Sequence, residues 1–105
     1  MAGYLPSKHG PQAGTNAFAD LIASDGSNQH IIRTISIVNT GASARVAYVT
    51  IGAGAAATEI IETSIAAHAT LTYNGWWHIP ITTVVQIKQD AGTDLTVTVS
   101  GYHYT

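Results

Sequence analysis

Residues 67–89 read AHATLTYNGWWHIPITTVVQIKQ, and the fold turns on how this stretch alternates. Ala69, Leu71 and Tyr73 alternate with Thr70 and Thr72, the period-two pattern of a half-buried strand. Asn74-Gly75 is the strongest turn signal in the chain, because a tight hairpin turn needs positive φ at its central positions. Trp76 to Ile79 follows at once, so the turn is expected to join two short extended pieces. Pro80 lacks the N–H that a ladder needs and marks an edge or a bend. Val85 and Ile87 share one face of the next strand, opposite Val84, Gln86 and Lys88. Neighbouring strand residues point to opposite faces. One of Trp76 and Trp77 is therefore expected in the core and the other outside, and alternation does not say which.

Outward from this stretch the same rhythm continues. Residues 30–39, HIIRTISIVN, put Ile31, Ile35 and Ile37 on one face with Arg33 and Asn39, and Ile32, Thr34, Ser36 and Val38 on the other. Asn39-Thr40-Gly41 makes the next turn, and residues 45–51 alternate Ala47, Val49 and Ile51 against Val46, Tyr48 and Thr50. GAGAAA, residues 52–57, reads as a loose hairpin tip, and the β-branched TEIIETSIA, residues 58–66, as a strand. A short apolar run at Phe18, Leu21 and Ile22 precedes an Asp25-Gly26 turn. The chain closes on Leu95, Val97 and Val99 facing in, with a bulge expected at Gly101 before Tyr102-His103-Tyr104. Seven or eight short strands at this spacing predict an all-β fold, an antiparallel β-sandwich of jelly-roll or Ig-like type.

The first sixteen residues differ. They hold three glycines, Pro6 and Pro11, and no apolar pattern. The expected organisation is an extended N-terminal arm over 1–16 and a β-sandwich domain over 17–105, with Tyr4 and Leu5 as anchors if the arm lies on a neighbouring subunit.

Composition narrows the function. Charged residues are 10% of the chain, against about a quarter in ordinary domains, and the formal net charge is −2. Lys8, Arg33, Arg45 and Lys88 are too few and too scattered for a phosphate-binding stripe, which argues against nucleic acid as a partner. No apolar run approaches the ~20 residues of a membrane-spanning helix. MAGYLPSKHGP at the start lacks the apolar centre of a signal peptide, so synthesis and assembly in a host cytoplasm are expected. There are no cysteines, and hence no disulfides or thiolate metal sites. Outward apolar positions at Ile32, Val38, Val46, Tyr48 and Val84 have no use in a free sandwich and suggest a surface covered by another chain. The alternative is a monomer with a bland polar surface. The outward tryptophan would be an interface anchor or a sugar-stacking ring, and Tyr102 and Tyr104 join the interface candidates.

Catalytic chemistry finds little support. Five histidines, His9, His30, His68, His78 and His103, include no His-X-His pair of the kind a strand offers a metal. The expectation is no metal and no cofactor, each ring bonding locally, with convergence of His68, His78 and His103 as the metal-enzyme alternative. Glu59 and Glu62, three apart on a strand, are expected on opposite faces, unlike the paired carboxylates of a hydrolase. No Gly-X-Ser-X-Gly or glycine-rich phosphate loop occurs. The chain is expected not to be an enzyme.

Several phrases carry a resemblance: SIVNTG at 36–41, GAGAAAT at 52–58, an Ile-Ala-Ala-X-Ala-Thr segment at 65–70, the aromatic Asn-Gly-Trp, a Val-Gln-Ile-Lys strand and LTVTVSGYHY at the end. Over residues 29–104 the chain resembles small all-β virion proteins of tailed bacteriophages, among them capsid decoration (cement) proteins and tail or fibre modules. It departs from them at IPITT, residues 79–83, where a Gly-Asp turn is expected. The resemblance implies a virion structural subunit, commonly a homotrimer, whose partners are itself and other virion proteins such as the major capsid protein. Its second implication is a tail, baseplate or fibre module that binds host-surface glycan.

Overall fold

The computed structural model describes residues 5–23, 26–54 and 57–104. Among them, eight strands form two four-stranded antiparallel sheets. β1 (Leu5–Ala13), β8 (Leu95–Tyr104), β3 (Gln29–Asn39) and β6 (Thr70–Ile79) make the first sheet, in that order. β2 (Ala19–Ile22), β7 (Val85–Gln89), β4 (Arg45–Ile51) and β5 (Thr58–Ile65) make the second. The pairings are nested: β4 with β5, β3 with β6, β2 with β7 and β1 with β8. This is one long antiparallel ribbon whose successive pairs fall on alternate sheets, the jelly-roll connectivity. The chain is thus an all-β sandwich of jelly-roll rather than Ig-like type.

The period-two residues build the core between the sheets. Ile35, Ile37, Val97 and Val99 from the first sheet meet Val49, Ile61, Val85 and Ile87 from the second, each at most 5% exposed. Each such burial contributes roughly 1.5–3 kcal/mol against chain entropy. Two buried polar side chains tie the sandwich ends. Asn39 Nδ2 donates to Ser43 O at 2.8 Å and Ile65 O at 3.1 Å, and its Oδ1 accepts from Gly41 N at 2.9 Å, so the Asn-Thr-Gly turn is held by its own first side chain. Gln89 Nε2 donates to Ala91 O at 2.6 Å, and its Oε1 accepts from Leu95 N at 3.0 Å, closing the turn between β7 and β8.

Three expectations change. Asn74-Gly75 is not a hairpin turn: both residues lie inside β6, which runs unbroken from Thr70 to Ile79. Between the pairs Ile32–Trp77 and Thr34–Asn74, Gly75 and Trp76 oppose the single Arg33, which is a β-bulge. The same Arg33 is extra against β8, between Ile32–Gly101 and Thr34–Ser100, so the irregularity expected at Gly101 lies on β3 across from it. The bulge also reverses the alternation. Ile32 is not an outward residue but a core residue, 1% exposed, and it is Ile31 that falls on the other face. The third change concerns the arm. It is extended, but residues 5–13 lie on their own sheet as β1, at the edge beside β8. The Asp25 turn position, Tyr4 and the middle of the 52–57 tip lie outside the described residues.

Candidate functional site

The bulge that reorders β3 also builds the most distinctive surface of the protein. Two consecutive residues, Arg33 and Thr34, point away from the core, since Ile32 and Ile35 on either side point into it. The Arg33 guanidinium lies over the Trp76 indole, 4.8 Å from its centroid, and Arg33 Nε donates to Gly75 O at 3.0 Å. The cation and the backbone bond together fix a ring that is 62% exposed. Tyr102, 39% exposed, flanks Ile31 on the same outer face. Pro6, Ser7, Arg33, Ser100, Gly101 and Tyr102 line an open groove of about 420 Å³, joined to the indole through Arg33. Only glycine fits at 101: a Cβ there would fall on the Ile31 carbonyl oxygen.

Trp77 takes the opposite role. It is partly buried, packs on the core, and its ring lies 2.8 Å from where a Cβ on Gly75 would stand. The two tryptophans therefore divide as adjacent strand residues must, Trp76 outward and Trp77 inward.

The outer face of the second sheet carries a related cluster. Lys88 Nζ sits 5.2 Å from the Phe18 ring and 5.2 Å from the Tyr48 ring. Phe18 is 45% exposed. The contact had no signal in the sequence, because Phe18 and Lys88 meet only through the β2–β7 pairing. The remaining interface candidates scatter. Leu5 is exposed at the start of β1, across from His103; Val38 is half-buried. Tyr104 is half-buried, and its hydroxyl donates to Gln29 Oε1 at 3.0 Å, an oxygen also 2.6 Å from His78 Nε2. Ile32 and Trp77 belong with the core.

The acids and histidines are also rearranged. β5 bulges at Ile60, between the pairs Val49–Ile61 and Thr50–Glu59, so Glu59 and Glu62 share one face instead of opposing each other. A side-chain hydrogen bond with Glu62 raises the Glu59 carboxyl above its ordinary value, with desolvation and the Glu62 charge adding to it. Neither lines the groove beside Trp76. The histidines that converge are His9, His30 and His103, not His68, His78 and His103. His9 and His30 have ring centroids 5.2 Å apart at 75°, and His30 and His103 are 6.0 Å apart. Among the described residues no group of three His, Asp or Glu side chains has the geometry to hold a metal ion.

No protein-family model matches the chain, and no curated protein matches it. Solved structures do. One is the pilus protein of Bacillus endospore appendages, which form disulfide-linked pili: TM-score 0.55 at 11% identity, over 100% of this chain and 87% of that one. Two others are a viral particle protein of IBDV, TM-score 0.43 at 13% identity over 30% of its length, and a pentameric capsid protein from metagenomic phage sequences, TM-score 0.37 at 11% identity over 59% of its length. At these identities the pilus protein speaks to the fold alone.

Proposed function

We propose that this chain is a non-enzymatic virion structural protein of a tailed bacteriophage, a capsid decoration subunit that binds the shell as a homotrimer and stabilises it. The observation that carries this reading is the outer face around Arg33. A tryptophan 62% exposed is held in place by Arg33, and the same arginine lines an open groove with Tyr102. Trp, Tyr and Arg are the residues that dominate protein interfaces; here Trp76 and Arg33 meet at one bulge, and Arg33 shares a groove with Tyr102, on a chain with 10% charged residues. Jelly rolls serve as capsid domains and as lectins, so the connectivity is compatible with the role without deciding it. A subunit that binds only the assembled shell stabilises that shell by mass action. The disulfide linkage of the endospore pili has no counterpart, since the chain has no cysteine.

Two measurements test this reading. Purified virions, resolved by cryo-electron microscopy, should show the subunit at fixed positions and high copy number on the capsid exterior; its absence there overturns the capsid reading. Trp76→Ala should weaken binding to shells by about 2 kcal/mol, roughly thirtyfold, while shifting the unfolding midpoint little, because the ring is mostly exposed. Equal binding by the variant would remove Trp76 from the interface.

A second reading is a tail, baseplate or fibre module that binds host-surface glycan. The same exposed indole favours it, since sugars stack on such rings. Glycan-array binding that disappears in Trp76→Ala, with no subunit on the capsid, would select it.

A further inference from the structure

β1 is attached differently from the other seven strands. It pairs only with β8, and none of its side chains belongs to the buried hydrophobic core. Its sequence, LPSKHGPQA, is exposed or half-buried throughout. The ladder to β8 also breaks between His9 and Gln12, so the strand is held in two pieces. Behind it the chain is firmly anchored. Gly14 N donates to Leu95 O at 2.8 Å, and Gln89 N donates to Thr15 O at 2.8 Å. Lifting residues 5–13 would therefore leave the core closed and bare one edge of β8, a row of backbone groups already in register for a strand of this sequence.

The most enclosed contact of β1 is His9. Its Nε2 is buried without a hydrogen-bond partner among the described residues, and its ring stands edge-on to His30, with His103 beyond. Lys8, the other basic group of β1, is exposed. From β3 come His30 and the exposed Arg33; from β8 come His103, Tyr102 and Tyr104. On β2, Asp20 is engaged by Gln86 at 2.9 Å. Asp90 accepts from Val46 N at 3.1 Å, Asp94 accepts from Arg45 Nε at 3.3 Å, and Glu59 pairs with Glu62 on β5, the edge strand of the other sheet. Among the described acids, then, each is engaged elsewhere, and Asp25 lies outside the described residues.

We propose that β1 is an exchangeable arm: protonation of His9, edge-on to His30 with His103 beyond, releases residues 5–13 from β8, and the bared edge takes the same strand from a second copy of the chain. The second copy is the natural occupant because it offers an identical strand in an identical register. Within an oligomer it does so at high effective concentration. Burial, then the charges of His30 and His103, hold the His9 imidazole below its ordinary value of 6.5. The docked strand thus binds fewer protons than the released one. Its hold is full above pH 6.5 and weakens as pH falls from there toward the lowered value. The exchange needs no shell, so it stands or falls separately from the virion reading.

The cysteine-free chain allows a direct test. Lys8 and Ser100 are register partners across β1 and β8. A Lys8→Cys variant is mixed with a mass-tagged Ser100→Cys variant, incubated at pH 5 or pH 8, returned to neutral pH and oxidised. Seating the arm of one variant on the sheet of the other holds the two thiols together, so the disulfide between variants should exceed the collisional same-variant dimers formed by each alone. The cross-linked heterodimer should accumulate faster at pH 5 than at pH 8, because the released strand binds the proton that the docked His9 resists. With His9→Gln in both variants the two rates should become equal. Absence of the heterodimer at both pH values, equal rates in the parent pair, or acceleration by acid that survives His9→Gln would overturn the proposal.

Discussion

Gly101→Ala is expected to destabilise the fold by about 3 kcal/mol or more, at the upper end for adding one methyl group. The added Cβ would land on the Ile31 carbonyl oxygen and lie 3.1 Å from Arg33 N. Both atoms are backbone of β3, which is flanked by β8 and β6, so neither can swing aside as a side chain would. Relief requires β8 to move off the bulge, and that breaks ladder bonds at roughly 1 kcal/mol each. Urea unfolding followed by tryptophan fluorescence measures the loss. Gly54→Ala is the control: its φ is +60° but nothing lies within 4 Å, so only left-handed backbone strain of roughly 1 kcal/mol is expected. Equal, small losses for both would mean that β8 does not close on the Arg33 bulge as described.

Gln89→Leu should cost about 2–4 kcal/mol although it barely changes side-chain volume. Gln89 is 0% exposed, and its amide satisfies both Ala91 O and the buried Leu95 N. Leucine leaves the buried Leu95 N without a partner and removes the donor to Ala91 O at a part-buried site. For a domain of this size the melting temperature should fall by roughly 10 °C or more. Gln86→Leu is the comparison, three residues away on the same strand and on its other face. Its amide bonds Asp20 at an exposed site, so a change within about 0.5 kcal/mol is expected.

The strands of this protein are legible in its sequence because the sandwich buries one face of nearly every strand. β4, β7 and β8 alternate so regularly that their inward apolar residues can be named in advance. What cannot be named is where alternation slips. Arg33 is unremarkable within HIIRTISIVN; the bulge there exists because β6 and β8 pair with β3 on either side of it, and it moves Ile32 inward and Ile31 outward. Asn74-Gly75 misleads for the same reason. Its local preference for a turn yields to eight residues of pairing with β3, and glycine serves instead to make room for the Trp77 ring. A bulge at Ile60 likewise brings Glu59 and Glu62 together. The outer surface was legible in part. An exposed tryptophan was expected, but its cation, its groove and the Phe18–Lys88–Tyr48 cluster arise from pairings between distant segments. The histidine cluster joins residues 9, 30 and 103, which only the β1–β8–β3 order brings together.

Whether the outer faces of this sandwich are covered by further copies of the chain is read most directly from its mass in solution. Light scattering on the purified protein at tens of micromolar, at neutral pH, should give three times the 11.0 kDa chain mass, and Trp76→Ala should shift that mass toward a single chain. A mass of 11.0 kDa for the parent at every concentration would contradict self-association through these faces.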